Sequence, residues 1–151
     1  MSDKVMAAAL RLLNFRWYTE SELIDRLNRK GFESDEINNV MTELKSLGYV
    51  DDKRFVDQWV SQRKRLKPMG KIRIKHELQA KGVQREVVDK VLEEMLPQIE
   101  EHDIALSLAD KKLKKNPRIE WRKLAAFLTR RGFSWEIVSR VGRELDINNQ
   151  K

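Results

Sequence analysis

A segment of about fifty residues occurs three times in this chain of 151 residues, and it limits the folds that the chain can adopt. Each copy contains a basic residue followed by glycine, and the three glycines, Gly31, Gly82 and Gly132, lie 51 and 50 residues apart. Apolar residues recur four and eight positions before each glycine, and six, nine and thirteen positions after it. A period of this length is typical of repeat proteins, whose short units pack against their neighbours. We therefore expect three similar units in series.

The spacing of apolar residues within each copy indicates helices. In the first copy, Leu23 and Leu27 lie four apart, and an i, i+3, i+4, i+7 stripe runs from Ile37 to Leu44. The glycine between them suits the left-handed position that ends a helix. A further apolar helix precedes each such pair, and alternating strand patterns are absent. The sequence thus predicts an all-α fold of about nine helices in an elongated, curved array. Its three tandem three-helix repeats, here called units 1, 2 and 3, span residues 1–50, 51–98 and 99–151.

Basic residues outnumber acidic ones by 31 to 24, which gives a net charge of +7. The stretch from Gln58 to His76 has no acidic residue and seven bases: Arg63, Lys64, Arg65, Lys67, Lys71, Arg73 and Lys75. A second cluster contains Lys111, Lys112, Lys114 and Lys115, and a basic pair, Arg130 and Arg131, precedes the third glycine. Such clusters attract phosphates, although a solvated surface is the simpler alternative for any one of them. We interpret these thirteen bases together as candidate contacts with DNA or with an acidic partner.

The sequence carries no recognisable catalytic or cofactor site. The absence of cysteine excludes a thiol nucleophile and a Cys-ligated metal. His76 and His102 lack the spacing of a metal-binding pair, and no glycine-rich loop for nucleotide phosphates is present. Asp51 and Asp52 precede an apolar helix and are interpreted as its N-terminal cap. We therefore expect no cofactor, no metal and no enzymatic activity.

The apolar segments also bear on where such a protein resides. None approaches the roughly 18 residues of a membrane-spanning helix. The short apolar run before Arg11 is a weak signal-peptide candidate because that charge interrupts it. We expect a cytoplasmic protein that makes no contact with membranes.

The tryptophans and a neighbouring tyrosine have two possible uses. Trp59 falls on an apolar stripe and is predicted to lie in a core, whereas Trp17 and Tyr18 lie in a predicted turn and are expected to be exposed. Trp121 and Trp135 occupy first turns, where we expect them to pack between units. Packing is the commoner use of an aromatic side chain, and stacking on nucleic-acid bases is the alternative.

Three segments of the chain carry the signature of a known family. The run LGYVDDKRFV at residues 47–56 is similar to a Gly-aromatic-aliphatic-Asp-Asp-x-Arg-Phe motif. RIKHELQAKGV at 73–83 is similar to Arg-Ile-x-x-Glu-Leu-x-x-Lys-Gly-Ile, and FLTRRGFS at 127–134 resembles a C-terminal Arg-Gly-Phe element. All three resemble the RecX family. The chain departs from that family at residues 67–71, where KPMGK stands in place of the usual Lys-Gly-x-Gly-Pro.

The resemblance implies a role in DNA repair. RecX proteins regulate the bacterial recombinase RecA, bind in the helical groove of its filament on DNA, and block or dismantle that filament. ATP hydrolysis, strand exchange and co-protease activity of the recombinase fall as a result, which modulates the SOS response. The implied partners are the RecA filament and the phosphates of single- and double-stranded DNA, bound by a monomer with little sequence preference.

Two other functions stay open on the residues alone. Two helices joined by a glycine-containing turn also occur in helix-turn-helix proteins, so a free-standing DNA-binding protein is one alternative. Its second helix would present side chains that read base edges, and the helices after the glycines offer few of these. The other alternative is a structural repeat protein that binds only proteins and uses its charge for solubility.

Overall fold

Nine α-helices and no strand are present in residues 2–149, the part of the chain that the structure, a computed structural model, describes. Unit 1 contains α1 (Ser2–Phe15), α2 (Glu20–Arg29) and α3 (Ser34–Ser46). Unit 2 contains α4 (Asp52–Leu66), α5 (Lys71–Ala80) and α6 (Arg85–Met95). Unit 3 contains α7 (Gln98–Lys115), which begins one residue before the predicted bound at 99, together with α8 (Trp121–Arg130) and α9 (Trp135–Asn149). The predicted all-α fold of three three-helix repeats is confirmed.

Each unit encloses its own hydrophobic core. The apolar positions that recur around the three glycines are the buried ones, for example Leu27, Leu78 and Leu128 four residues before them. They belong to three different clusters of buried residues, one for each unit. Burial of one such side chain contributes about 1.5–3 kcal/mol, so the core of each unit contributes strongly to stability. The contacts that join neighbouring units are additional to this stabilisation.

The helices begin and end where local sequence signals predict. The Thr19 hydroxyl accepts a hydrogen bond from the backbone amide of Glu22, whose carboxylate accepts one from the amide of Thr19, which is a complete capping box. Asp51 caps α4 by accepting from the backbone amide of Arg54. Gly82 and Gly132 follow their helices with φ angles of 80° and 95°, a region that side chains avoid.

The aromatic residues depart from expectation at three positions. Tyr18 is 6% exposed, since the guanidinium of Arg16 lies 3.7 Å from its ring centroid and its other contacts are with the core of unit 1. Trp135 is 68% exposed, and Trp121 lies beside Gly142 of its own unit rather than between units. The prediction of exposure for Trp17 is confirmed, at 44%.

Units 1 and 2 are joined by polar contacts at the N-terminus of α2. The backbone amide of Glu20, the first residue of α2, donates to a carboxylate oxygen of Asp52 at 2.8 Å. The Thr19 hydroxyl donates to the carbonyl of Lys81 at 2.7 Å, and the Lys81 ammonium lies 3.3 Å from the Glu22 carboxylate. An acid from the first helix of one unit thus caps the second helix of the unit before it.

Units 2 and 3 are joined in the same way. The amide of Lys71, the first residue of α5, donates to a carboxylate oxygen of Glu101 at 2.8 Å. The amide of Gly70 donates to the carbonyl of Arg131 at 2.8 Å, and the Arg131 guanidinium donates to the carbonyl of Pro68. The basic residue and glycine that recur in each unit are here called the basic-glycine element. This element ends a helix, and in units 2 and 3 it also packs against the preceding unit.

A comparison of two glycines with the same backbone geometry distinguishes the helix ending from the packing against the preceding unit. Gly31 has a φ of 91°, and a methyl group added to it would meet no atom within 4 Å, whereas one added to Gly132 would lie 2.6 Å from the backbone nitrogen of Arg73. We expect Gly31→Ala to lose about 1–2 kcal/mol of stability to the left-handed backbone alone. Gly132→Ala should lose about 1–3 kcal/mol more through overpacking. Urea midpoints followed by circular dichroism measure both, and equal midpoints would contradict the close packing at this joint.

The buried carboxylate of Glu101 makes the second joint sensitive to pH. Burial raises the pKa of Glu101, although the amide and the ammonium of Lys71 oppose the shift. Because the folded state holds this proton more tightly, the contribution to stability is full below the unfolded pKa and is lost as the pH rises through the folded pKa. Glu101→Gln keeps an acceptor oxygen but cannot ionise. Its urea midpoint should therefore rise relative to the parent between about pH 4 and pH 7. The exposed Glu94→Gln is the control, and a parallel profile for both variants would refute the assignment.

Candidate nucleic-acid interface

The structure divides the first basic cluster into bases held within the fold and bases that are free. Arg63 forms a two-pronged ion pair with Glu77, with both nitrogen–oxygen distances at 2.9 Å. Its guanidinium also lies 4.6 Å from the ring centroid of Trp59. The two charged side chains are only 25% and 23% exposed. Arg63 therefore links α4 to α5, and the Glu77 carboxylate neutralises its charge.

Four more bases of this cluster have partners inside the protein. The Lys64 ammonium donates to the carbonyl of Met95 at 2.8 Å and pairs with Glu100 on α7. The other three make the following contacts: Lys71 with Glu101 at 4.0 Å, Lys75 with Asp89 at 2.9 Å, and Arg73 with the carbonyl of Arg130 at 3.5 Å. These contacts connect α4, α5, α6, α7 and α8, so the four cations help to hold the helices together.

Arg65 and Lys67 are the exposed members of the cluster. They lie at the C-terminal end of α4, and neither has an ion pair or a side-chain hydrogen bond within the described residues. Successive residues of a helix point about 100° apart, which is why Arg65 faces solvent beside the inward-facing Arg63 and Lys64. These two positions keep their full charge for an external partner.

The second basic cluster lines a groove between α7 and α8. The groove has a volume of about 230 Å³, and its lining contains no acid: Leu108, Lys111, Lys112, Lys115, Phe127 and Arg131. The Lys112 ammonium and the Arg131 guanidinium lie 4.5 Å and 5.2 Å from the ring centroid of Phe127. Lys114 and Arg130 are exposed but do not line this groove. Sequence reasoning missed Phe127, because an aromatic residue on an apolar stripe looks like part of the core.

A neighbouring depression connects this groove to the end of α4. Leu108 and Lys111 line both, and the depression extends to Pro68, which directly follows Lys67. The depression thus brings the second cluster close to the segment that follows α4. We use the name basic track for the exposed bases at the end of α4 together with the bases that line the groove: Arg65, Lys67, Lys111, Lys112, Lys115 and Arg131. Glu100 and Asp103 line only the depression.

The chemistry available on the basic track is the binding of anions. Lysine and arginine side chains hold phosphates through charge and hydrogen bonds, without reading base sequence.

The described residues contain no cluster of three His, Asp or Glu side chains that could hold a metal ion. No helix within residues 2–149 is long and apolar enough to cross a membrane.

The division of the first cluster predicts different effects at two neighbouring arginines. Arg63→Ala removes the paired guanidinium and leaves the half-buried Glu77 carboxylate with Trp59 as its remaining partner. We expect it to lose about 1–3 kcal/mol of stability. Arg65→Ala removes an exposed and unpaired charge, and its stability should change by less than about 0.5 kcal/mol. Urea unfolding of both variants checks this, and similar losses at the two positions would contradict the division.

Family models match each of the three units. They describe the first, second and third three-helix domains of RecX, and they match residues 6–44, 51–92 and 99–141. Together they cover most of the chain and have the same order as the three units of the structure.

Individual relatives and solved structures agree with this match. The regulatory protein RecX of Legionella pneumophila (strain Corby) is 32% identical over 145 residues, which cover 94% of this chain and 95% of that protein. The regulatory protein RecX of Chlorobium phaeobacteroides (strain BS1) is 32% identical over 136 residues, covering 86% and 85%. The crystal structure of RecX from Lactobacillus salivarius superposes with a TM-score of 0.89 at 23% identity, covering 97% of each chain. The chain therefore belongs to the RecX family of regulatory proteins.

Proposed function

We propose that this protein inhibits the RecA recombinase by binding in the helical groove of the RecA–DNA filament and blocking or dismantling it. Membership of a family of regulatory proteins supports a regulatory role. The observation that carries the proposal is the basic track, in which the groove between α7 and α8 is lined by four bases and no acid, and lies close to the exposed bases at the end of α4. Such a surface is suited to a polyanion.

Inhibition of this kind needs no reaction at the protein's own residues. The cations of the basic track would hold DNA phosphates inside the filament, and phosphate contacts fix position without sequence preference. Occupation of the groove by a folded protein would hinder the filament changes that accompany ATP hydrolysis, strand exchange and co-protease action. We place the protein in the cytoplasm, as a monomer without a cofactor, acting on DNA repair and the SOS response through the recombinase.

The direct test is RecA ATP hydrolysis dependent on single-stranded DNA, titrated with this protein. One series uses recombinase already assembled on the DNA, and the other adds the recombinase last. Inhibition in both series is the expected result. Inhibition far below one protein per recombinase subunit indicates dismantling from filament ends, and inhibition near saturation indicates groove occupancy. An unchanged rate of hydrolysis in both series would refute the proposal.

Charge reversal on the basic track should weaken the inhibition. Lys111 and Lys115 are exposed and have no ion pair in the described part of the chain. The double variant Lys111→Glu, Lys115→Glu should need about tenfold more protein for half-inhibition. The slope of log affinity against log salt on single-stranded DNA should also flatten by about 1.4 units, since two phosphate contacts are lost.

The matched control is Lys30→Glu, Lys90→Glu, which makes the same change in net charge at exposed, unpaired positions of units 1 and 2. It should inhibit as the parent does, apart from a small effect of net charge. If both folded double variants inhibit equally well at raised salt, the basic track is not the contact surface.

A further inference from the structure

A second groove lies where units 1 and 2 meet, away from the groove between α7 and α8. It has a volume of about 360 Å³ and six lining residues: Arg16, Trp17, Phe55, Gln58, Trp59 and Gln62. The last four share one face of α4, at i, i+3, i+4 and i+7 spacing. Trp17 comes from the connection between α1 and α2, so the joint between the units creates this groove.

The rings of this groove have ordered positions. Phe55 and Trp59 lie nearly parallel, with ring centroids 5.9 Å apart and an interplanar angle of 13°. The Trp59 indole nitrogen donates to the Glu77 carboxylate at 3.0 Å, so its polar edge is already satisfied within unit 2. Trp17 is 44% exposed across the groove from them. The groove therefore offers flat apolar ring surfaces, and the indole nitrogen of Trp59 needs no further hydrogen-bond acceptor.

Cations surround these rings. The Arg54 guanidinium lies 4.7 Å from the ring centroid of Trp17, and the Lys81 ammonium lies 4.8 Å from that of Trp59. Arg63 lies over Trp59 as well, and Arg16 forms part of the lining. Arg63 is paired with Glu77, and Arg16 and Lys81 are both paired with Glu22. Arg54 is therefore the cation of this group that has no ion pair within the described residues. None of the six lining residues is acidic. The site thus combines flat apolar surfaces with the unpaired charge of Arg54, which suits a ligand with planar groups on an anionic chain.

We propose that this groove stacks bases of single-stranded nucleic acid. A base would lie against the indole of Trp17 and face Trp59, beside the largely buried Phe55, and a flanking phosphate would lie near Arg54. Aromatic platforms bordered by cations bind single strands in this way, with little preference for sequence. The proposal goes beyond the phosphate contacts proposed for the basic track, because it requires contact with the bases of the strand.

The amides and the course of α4 favour a nucleic acid over an acidic peptide. Gln58 and Gln62 are exposed and have no hydrogen-bond partner among the described residues, so their donors and acceptors are available to base edges. The same face of α4 continues from Gln62 to Arg65, where the basic track begins. A strand that leaves the groove would meet a row of cations, which matches the regular charge of a phosphate backbone.

The test compares two oligomers that differ only in their bases. Fluorescence anisotropy measures binding of labelled oligothymidylate of about fifteen nucleotides, and of an abasic deoxyribose-phosphate oligomer of equal length. Trp17→Ala should weaken oligothymidylate binding between about fivefold and a hundredfold, and should leave binding of the abasic oligomer unchanged. Trp17→Phe should restore most of the loss, because it retains a ring.

The control variant is Trp135→Ala, at an exposed tryptophan of unit 3, which should leave binding of both oligomers unchanged. If Trp17→Ala proves poorly folded by circular dichroism, Gln58→Ala with Gln62→Ala replaces it, with a selective loss on oligothymidylate again expected. An equal loss on both oligomers, or no loss, overturns base stacking. Loss of recombinase inhibition by Trp17→Ala with unchanged oligomer binding also overturns it, and would make the groove a protein-docking surface.

Discussion

The arrangement of the whole molecule depends on carboxylates placed at helix N-termini of a neighbouring unit. Glu101 is 5% exposed, and burial of an unpaired carboxylate would be very unfavourable. Its hydrogen bond from the first amide of α5 and the positive end of that helix offset the cost. Asp52 makes the equivalent contact with α2. Ile104 of α7 packs against the cores of both unit 2 and unit 3, so apolar contact joins these units as well. The polar contacts add direction, because a hydrogen bond to a helix N-terminus fixes how one unit is oriented on the next.

Both grooves with binding chemistry lie near the joints, although only one of them is built from two units. The six residues that line the groove between α7 and α8 all belong to unit 3. The aromatic groove contains Trp17 from unit 1 and Trp59 from unit 2. The depression beside the groove between α7 and α8 combines Pro68 of unit 2 with Lys111 of unit 3. Arg131 belongs to a joint and to a groove at once, because its guanidinium donates to Pro68 and lies over Phe127.

The fold was predictable from the sequence, whereas the site was predictable only in part. Helix positions follow from local spacing, since burial acts on residues three and four apart. The pairs that remove cations from the first basic cluster join residues distant in sequence, such as Arg63 with Glu77 and Lys64 with Glu100. Local patterns carry no information about such pairs. The prediction that Tyr18 is exposed was wrong for the same reason, because its ring belongs to a core that several elements of unit 1 form together.

The basic-glycine element shows how two physical causes can act on one short motif. The left-handed backbone that ends a helix is needed at Gly31, Gly82 and Gly132 alike. Only the last two lie against a preceding unit, where Ser21 and Arg73 occupy the space that a side chain would need. Unit 1 has no unit before it within the described residues, and its glycine is open. The helix ending therefore explains why the motif recurs in every unit, and close packing adds a second requirement only at the joints.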